Sequence, residues 1–386
     1  MRSLSSFLFV LLFMIPSCAK STGATVGRIN RIDSFEEAIE AYQKIAKKGG
    51  WPLIPAGPKL TKGDVGEKVV LLRKRLGMTG VTEKEALFNE ELGEAVRHFQ
   101  ERHGLEPDGV AGKETVAAMN VPVEARLRQL ELNRKRYQEF SEKVKAGGKR
   151  AIIVNIPDFR LKIFEDGRPI AEMKVIVGQN DKDWKTPLLS SHITTLILNP
   201  TWSVPPTIFE KEVILELRKD PTYLAQNNMM VVRTADKKQE PVDPAKIDWN
   251  RVDEKTPEFR IVQREGEGNS LGRIKFLFPN KYAVYLHDTP HKALFSKPVR
   301  ALSHGCVRVE KPMELAQFLM KDHPRWTQDK LEKMIEDKQT RYLLLPSPVD
   351  IHIIYLTAWV DHEGRVQFRN DIYQMDLPAT PLTPSQ

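Results

Sequence analysis

Cysteine is almost missing: Cys18 and Cys306 are the two in 386 residues. That scarcity excludes a disulfide-built scaffold. Cys18 closes an apolar leader, and a leader is normally processed away from the folded part. Beyond the leader no apolar run is long enough to span a bilayer. Blocks of like charge are missing too. The net charge of +8 is spread along the chain and leaves no nucleic-acid footprint; it suits an anionic wall or lipid head groups, and equally an ordinary soluble surface. What is present is the balance of a soluble globular protein, 41% hydrophobic and 28% charged, with length for two or three domains.

The N-terminus has Arg2, an apolar stretch from Phe7 to Ile15, then Pro16-Ser17-Cys18. Residues 1–18 read as a signal peptide, too short to be a membrane anchor. Ile15-Pro16-Ser17-Cys18 resembles a bacterial lipobox, which makes Cys18 a candidate for acylation and for attachment to a membrane. Ordinary signal-peptidase cleavage, with Cys18 an incidental thiol, is the alternative. Either way the chain is exported. Cys306 is then an unpaired thiol in an oxidising compartment, which points to a reactive group or an intermolecular bridge.

Five segments follow. Residues 19–58 hold an amphipathic helix, Ser34 to Lys47, and a Gly/Pro-rich linker. Residues 59–122 form a small helical unit: Val69, Leu72 and Leu76, then Leu92, Val96 and Phe99, recur at helical spacing, and Asp108-Gly109 turns into a third helix. Residues 123–149 read as a solvated connecting helix with one apolar stripe through Leu127, Leu130, Leu132 and Tyr137. From 150 to 377 the period becomes two. Ile152, Val154 and Ile156 share a face, Asp166-Gly167 signals a hairpin, and Thr194–Leu198, Lys275–Phe278 and Ala283–Leu286 are strand candidates. An insertion at 208–272 starts with a helix, Ile208 to Lys219, and continues as a polar, Pro-spotted region. Glu314–Met320 and Asp329–Glu336 are helix candidates. Ile351–Val360 and Val366–Phe368 read as a last hairpin before a flexible tail, 378–386.

A thiol attacks carbonyl groups as its thiolate, so Cys306 needs a base or a lowered pKa. His287 stands at the end of the apolar run Ala283-Val284-Tyr285-Leu286. His304 lies in the same turn as Cys306. Gly305 permits a sharp bend and frees backbone N–H groups near the sulfur for an oxyanion. Arg308, two residues on, lies on the same side and can hold a carboxylate through paired hydrogen bonds. Zinc wants three or four ligands; with one cysteine outside the leader and His291 the sole further histidine close by, no metal is called for. Serine catalysis is weaker still, since Ser303 has no nucleophile-elbow glycines around it.

Two runs carry a resemblance. Phe99-Gln100, His103-Gly104-Leu105, Asp108-Gly109 and Gly112 resemble the peptidoglycan-binding domain found beside wall hydrolases, and these residues are chiefly core and turn residues. His287-Asp288-Thr289-Pro290 and Ser303-His304-Gly305-Cys306-Val307-Arg308 resemble the active-site signature of the L,D-transpeptidases, the YkuD-type catalytic domain. Asn199 to Pro206, Leu271 to Phe276 and Ala358 to Phe368 are similar to its large Gram-negative branch.

The resemblance implies a multidomain α+β fold: a β-rich, sandwich-like catalytic domain with a lid, behind a three-helix binding domain. Cys306 would be the nucleophile and His287 the base, oriented by the carbonyl of Asp288. His304 and Gly305 would shape the oxyanion pocket. Arg308, Asp288, Tyr282, Trp202 and Ser303 would contact substrate, with packing the competing role for Tyr282 and Trp202. No cofactor is implied. The partners would be peptidoglycan stem tetrapeptides as donor and acceptor, and glycan at the binding domain, in the periplasm. Release of D-alanine would leave a thioester, resolved by the amine of a second stem. Water, a free D-amino acid or a lipoprotein lysine are other acceptors. A cysteine peptidase that cleaves without joining, and a non-catalytic wall-tethering lipoprotein, are the readings from other classes.

Overall fold

The computed structural model describes residues 34–78, 86–145, 147–220, 222–233, 240–253 and 258–376. The leader with Cys18 and the tail 378–386 lie outside them. No helix among the described residues is long and apolar enough to cross a membrane.

Helix α1 (Phe35–Lys47) begins where the Ser34 hydroxyl accepts the Glu37 N–H; acidic residues fill its first turn and lysines its last, as the helix dipole favours. The binding-type module is α2 (Glu67–Arg75), α3 (Glu90–Arg102) and α4 (Lys113–Met119), closed around Leu72, Phe88, Leu92, Val96 and Met119. The Gly/Pro-rich stretch before α2 is no free linker. Ile54 is buried in this core, and Asn120 bonds both its N–H and its carbonyl, at 2.9 and 2.8 Å. Gln100 ties the Asp108-Gly109 turn to α3 by accepting the Gly109 N–H and donating to Asp108.

Helix α5 (Val123–Lys145) connects the two domains. Its charges suggest an apolar stripe against solvent. Its buried side is instead Val123, Arg126, Leu130 and Asn133, so polar residues face inward. They do so because they have partners. Asn133 accepts the Thr357 N–H at 2.8 Å and donates to its hydroxyl at 2.7 Å, and Gln129 donates to the carbonyls of Thr357 and Arg369.

Eight strands of the catalytic domain close into a ring. They are β1 (Arg150–Asn155), β2 (Arg160–Glu165), β3 (Arg168–Gly178), β4 (Leu189–Leu198), β9 (Ile274–Leu277), β10 (Leu286–His287), β12 (Val307–Val309) and β13 (Arg341–Ile354). The sheet runs β3-β12-β10-β9-β4-β13-β1-β2, and β2 pairs back onto β3. The β-rich domain expected from the sequence is there, and this last pairing joins what would be two halves of a sandwich. Short β11 (Ala301–Ser303) adds to β3 in parallel. Inside the ring lie Ile152, Val175, Leu196, Phe276, Leu286 and Val307, with helix Pro312–Met320 contributing Leu315 and Leu319. At the β2–β3 hairpin Asp166 and Gly167 have φ of 48° and 75°, the left-handed pair that a type I′ turn requires.

Two strand assignments change. Ala283–Leu286 shrinks to Leu286–His287, because Ala283 is left-handed (φ 55°) and Asn280 holds a turn by accepting the N–H groups of Tyr282 and Val284. In exchange β13 runs from Arg341 through Pro346 and Pro348. The prolines sit where its register with β4 shifts, between Leu344 and Val349, which is how a strand tolerates residues without an N–H. Beyond Ile354 the chain leaves the ring. The hairpin β14 (Ala358–Val360) and β15 (Val366–Phe368) packs on α1 and α5 through Phe35, Ala38, Leu130, Ala358 and Phe368.

The insertion grows from the β4–β9 hairpin and begins before residue 208. β5 (Trp202–Ser203), β6 (Met229–Arg233), β7 (Pro241–Val242) and β8 (Phe259–Gln263) form a sheet ordered β5-β8-β6-β7. A continuous helix leads into it: Pro206–Ile208, a π segment Phe209–Val213, then Ile214–Lys219. The region that reads as merely polar therefore holds strands and its own core of Phe209, Val213, Ile214, Leu217, Val231 and Trp249.

Arg369 joins the domains. It donates to Asp158 at 2.7 Å and to the Arg102 carbonyl at the end of α3 at 3.1 Å, and a Cβ on Gly104 (φ 64°) would collide with it. Asp158 keeps only 3% of its side chain exposed, so its charge depends on this partner. Arg369→Ala should cost about 3 kcal/mol by stranding that carboxylate. Urea unfolding and limited proteolysis between the domains would check this; an unchanged midpoint would show the contact to be idle.

Candidate active site

Strand pairing builds the site. His287 pairs with Lys275 across β10–β9 and with Arg308 across β10–β12, so the three side chains stand in one row. Leu286, Phe276 and Val307, one residue away on each strand, point into the core. By the alternation of a strand, the row faces outward from the ring. Cys306 and Tyr285, two residues before Arg308 and His287, fall on the same face. Val307 donates to the Tyr285 carbonyl at 3.1 Å, which fixes Cys306 beside Tyr285.

Cys306 is half-buried, and its sulfur is 4.0 Å from the Ala283 carbonyl. Burial pushes its thiol pKa up; hydrogen bonding from Tyr285 and the charges of Lys275 and Arg308 pull the other way. The Tyr285 hydroxyl is held between Cys306 and Trp202. Lys275 lies over the Tyr285 ring, Nζ 3.8 Å from its centroid. His287 is buried, and its Nδ1 donates to the Asp288 carbonyl at 2.5 Å, the orientation expected from the sequence. That bond leaves Nε2 as the free, proton-accepting nitrogen. Burial first, then the Arg308 and Lys275 charges, press its pKa down to about 3. His287 is therefore neutral at ordinary pH.

Several residues do something other than the sequence suggests. The His304 ring turns to the insertion: Nε2 meets Glu212 Oε1 at 2.7 Å and the ring stands edge-on to Trp184, centroids 4.5 Å apart. Glu212 is on the π segment, and its neighbour Lys211 reaches Asp183 at 2.6 Å. Ser303 is buried within the catalytic turn, donating to the Cys306 carbonyl at 2.5 Å and accepting the Gly305 N–H at 3.3 Å, so it shapes the turn and is not open to substrate. Gly305 has φ 111°, which side-chain-bearing residues rarely adopt, and its carbonyl accepts the Thr186 hydroxyl at 2.8 Å. The Asp288 carboxylate is consumed by the N–H groups of Arg273 and Thr289 and by Lys292, packed against Gly272, and is likewise structural. Tyr282 stays on the rim, 48% exposed. Arg308 stands level with His287, and Trp202 opens the sheet of the insertion.

Lys275, Trp184 and Glu212 have no signal as site residues in the sequence. Tyr285 alone was reachable, since period two puts it on the face of His287. No three acidic, histidine or cysteine side chains among the described residues cluster as a metal site.

An unpaired thiol, a neutral imidazole anchored on a carbonyl and a glycine turn in contact with the insertion are the groups that cysteine acyl transfer uses. Residues 149–340 match the family described as "L,D-transpeptidase catalytic domain", YkuD, and residues 65–119 match the "Putative peptidoglycan binding domain". The chain carries a YkuD-type L,D-transpeptidase catalytic domain behind a domain of the peptidoglycan-binding family. A relative in Haemophilus influenzae, named "Putative L,D-transpeptidase", is 37% identical over 225 residues, 58% of this chain and 44% of that protein. The chain thus spans less than half the length of that curated relative. Among solved structures, the L,D-transpeptidase of Xylanimonas cellulosilytica is 14% identical, covers 78% of this chain and 98% of its own, and has a TM-score of 0.23. That of Stackebrandtia nassauensis is 15% identical, covers 78% and 96%, and has a TM-score of 0.26. Scores this low add nothing to the fold described above.

A His287 held neutral and a Cys306 thiol raised by burial make no preformed imidazolium–thiolate pair. Alkylation of Cys306 by iodoacetamide should climb with pH through and above the ordinary thiol range near pH ~8.5, without a plateau at acid pH. A rate independent of pH from 5 upward would contradict the arrangement. His287 also links stability to pH. Its pKa is about 3 folded and about 6.5 unfolded, so the unfolded chain binds the extra proton first, and stability should fall as pH drops from ~6.5 towards ~3.

Proposed function

We propose that the protein is an exported L,D-transpeptidase that cross-links peptidoglycan stems through a Cys306 thioester. What supports this reading is the neutral His287, fixed by the Asp288 carbonyl, on a strand paired with the one that follows the unpaired thiol of Cys306, in a domain of that family.

His287 Nε2 takes the thiol proton as the sulfur attacks the carbonyl of the third stem residue, a meso-diaminopimelate. Negative charge moves to the carbonyl oxygen, where the backbone N–H of Cys306 in the Gly305 turn would receive it. The C–N bond breaks, and the proton on His287 goes to the departing amine of D-alanine. A thioester remains. The side-chain amine of a second stem then attacks it, gives a proton to His287, and displaces the sulfur, which takes that proton back. Atoms balance without metal or nucleotide, because the thioester conserves the energy of the broken amide. Binding of the helical domain to glycan would keep the site on the wall. Cys18, if acylated, would add a membrane anchor on the periplasmic side.

The insertion acts as a lid. Glu212 holds His304, so the insertion touches the turn that carries Cys306, and Trp202 acts on the Tyr285 hydroxyl. Excluding water favours an amine acceptor over hydrolysis.

The defining test incubates mature protein and Cys306→Ala with disaccharide-tetrapeptide and reads products by mass spectrometry. A dimer lighter than two monomers by one D-alanine, absent with the variant, is expected. Tripeptide without dimer would move the reading to a carboxypeptidase or a protein-lysine acceptor. No product from either protein would favour wall tethering. In the same assay Glu212→Ala should enlarge the share of hydrolysed tripeptide at the expense of dimer; an unchanged ratio would count against the lid.

A further inference from the structure

We propose that Lys275 and Arg308 together bind the free carboxylate that sits one carbon from the reacting nitrogen, on the departing residue and on the acceptor amine alike. This rests on the acyl-transfer reading above and names which amines the thioester accepts.

Lys275 and Arg308 are cations whose one opposing charge is the Cys306 sulfur when it ionises. Neither has a carboxylate partner among the described residues, and the Arg308 Nε is buried with no hydrogen-bond partner. Their neighbours are treated differently: Lys292 has Asp288, Lys211 has Asp183, and Arg273 donates to Asn199 and to the Ile335 carbonyl. Holding two partly buried cations unpaired is costly, and burial lowers the pKa of each. A binding site for a substrate anion accounts for that cost.

The position fits one particular anion. Lys275 and Arg308 flank His287 on the two adjacent strands, each about 4.8 Å away across the sheet. The nitrogen that His287 protonates on departure must lie against its ring. In a C-terminal amino acid the carboxylate is one carbon from that nitrogen, which places it between the flanking cations. Arg308 offers paired donors, and Lys275 is steadied by the Tyr285 ring. A longer donor has a neutral amide in place of the carboxylate and forfeits the contact. The anion also offsets the positive field that opposes protonation of His287.

The same geometry applies to the second half-reaction. The side-chain amine of diaminopimelate carries a carboxylate on its own carbon, as does the amine of a free D-amino acid. A protein lysine does not. The site therefore selects α-amino carboxylates as acceptors over simple alkyl amines.

The experiment uses the full chain, Lys275→Met and Lys275→Arg. Two readouts are combined. With disaccharide-tetrapeptide as donor, exchange is followed for D-methionine and for D-methioninamide, which lacks the carboxylate charge. Wild type should prefer D-methionine, with a lower KM. Lys275→Met should lose about tenfold or more in kcat/KM for D-methionine and little for the amide, and Lys275→Arg should recover most of the loss. Independently of any peptidoglycan chemistry, Cys306 is alkylated by iodoacetate and by iodoacetamide and the modified peptide is quantified. The iodoacetate-to-iodoacetamide rate ratio should collapse in Lys275→Met and persist in Lys275→Arg. Equal losses for both acceptors, or an unchanged alkylation ratio, would overturn the carboxylate site. If wild type releases no D-alanine while the ratio still collapses, the anion site stands and the transpeptidase reading falls.

Discussion

The pairing of the short strand β10 with β9 on one side and β12 on the other is the constraint on which the site depends. Two residues long, β10 brings His287 level with Lys275 and Arg308 and sets Tyr285 beside Cys306. Because Leu286, Phe276 and Val307 are locked in the core on the opposite face, a one-residue slip would bury the catalytic row and expose the core. Ring closure through β2 and β3 makes such a slip expensive for every strand at once.

Electrostatics follow from that row. Two cations and burial keep His287 neutral, and burial keeps Cys306 mostly a thiol, so the resting site is quiet. The thiolate is the form that oxidises, so a thiol kept protonated at rest is shielded from oxidation.

The surroundings hold the row rigid by different means. Asp288 and Ser303 spend their polar groups on backbone, bracing the two loops that carry His287 and Cys306. The insertion is tied at its neck, where Asn199 donates to the carbonyls of Met334 and Ile335 in helix Gln328–Glu336 and of Gln339 just beyond it. The helical domain is docked through Arg369 and through Phe368, whose ring stacks with His103 at 5.5 Å. His103 and Gly104, conspicuous in the binding-domain pattern, serve this junction.

The sequence by itself determined the amphipathic helices and the Asp166-Gly167 hairpin, and it singled out Cys306 and His287. These rest on local periodicity, turn chemistry and residue type, which need no neighbours to be read. It misplaced β13, because Pro346 and Pro348 look like breaks until β4 is beside them to absorb the register shift. It gave His304 to the thiol, because proximity in a turn says nothing about Glu212, 92 positions away on the lid. Lys275 was silent for the same reason. Only tertiary structure decides which residues of different strands stand level, since register is set by the buried face of the sheet and by closure of the ring, both properties of the whole domain.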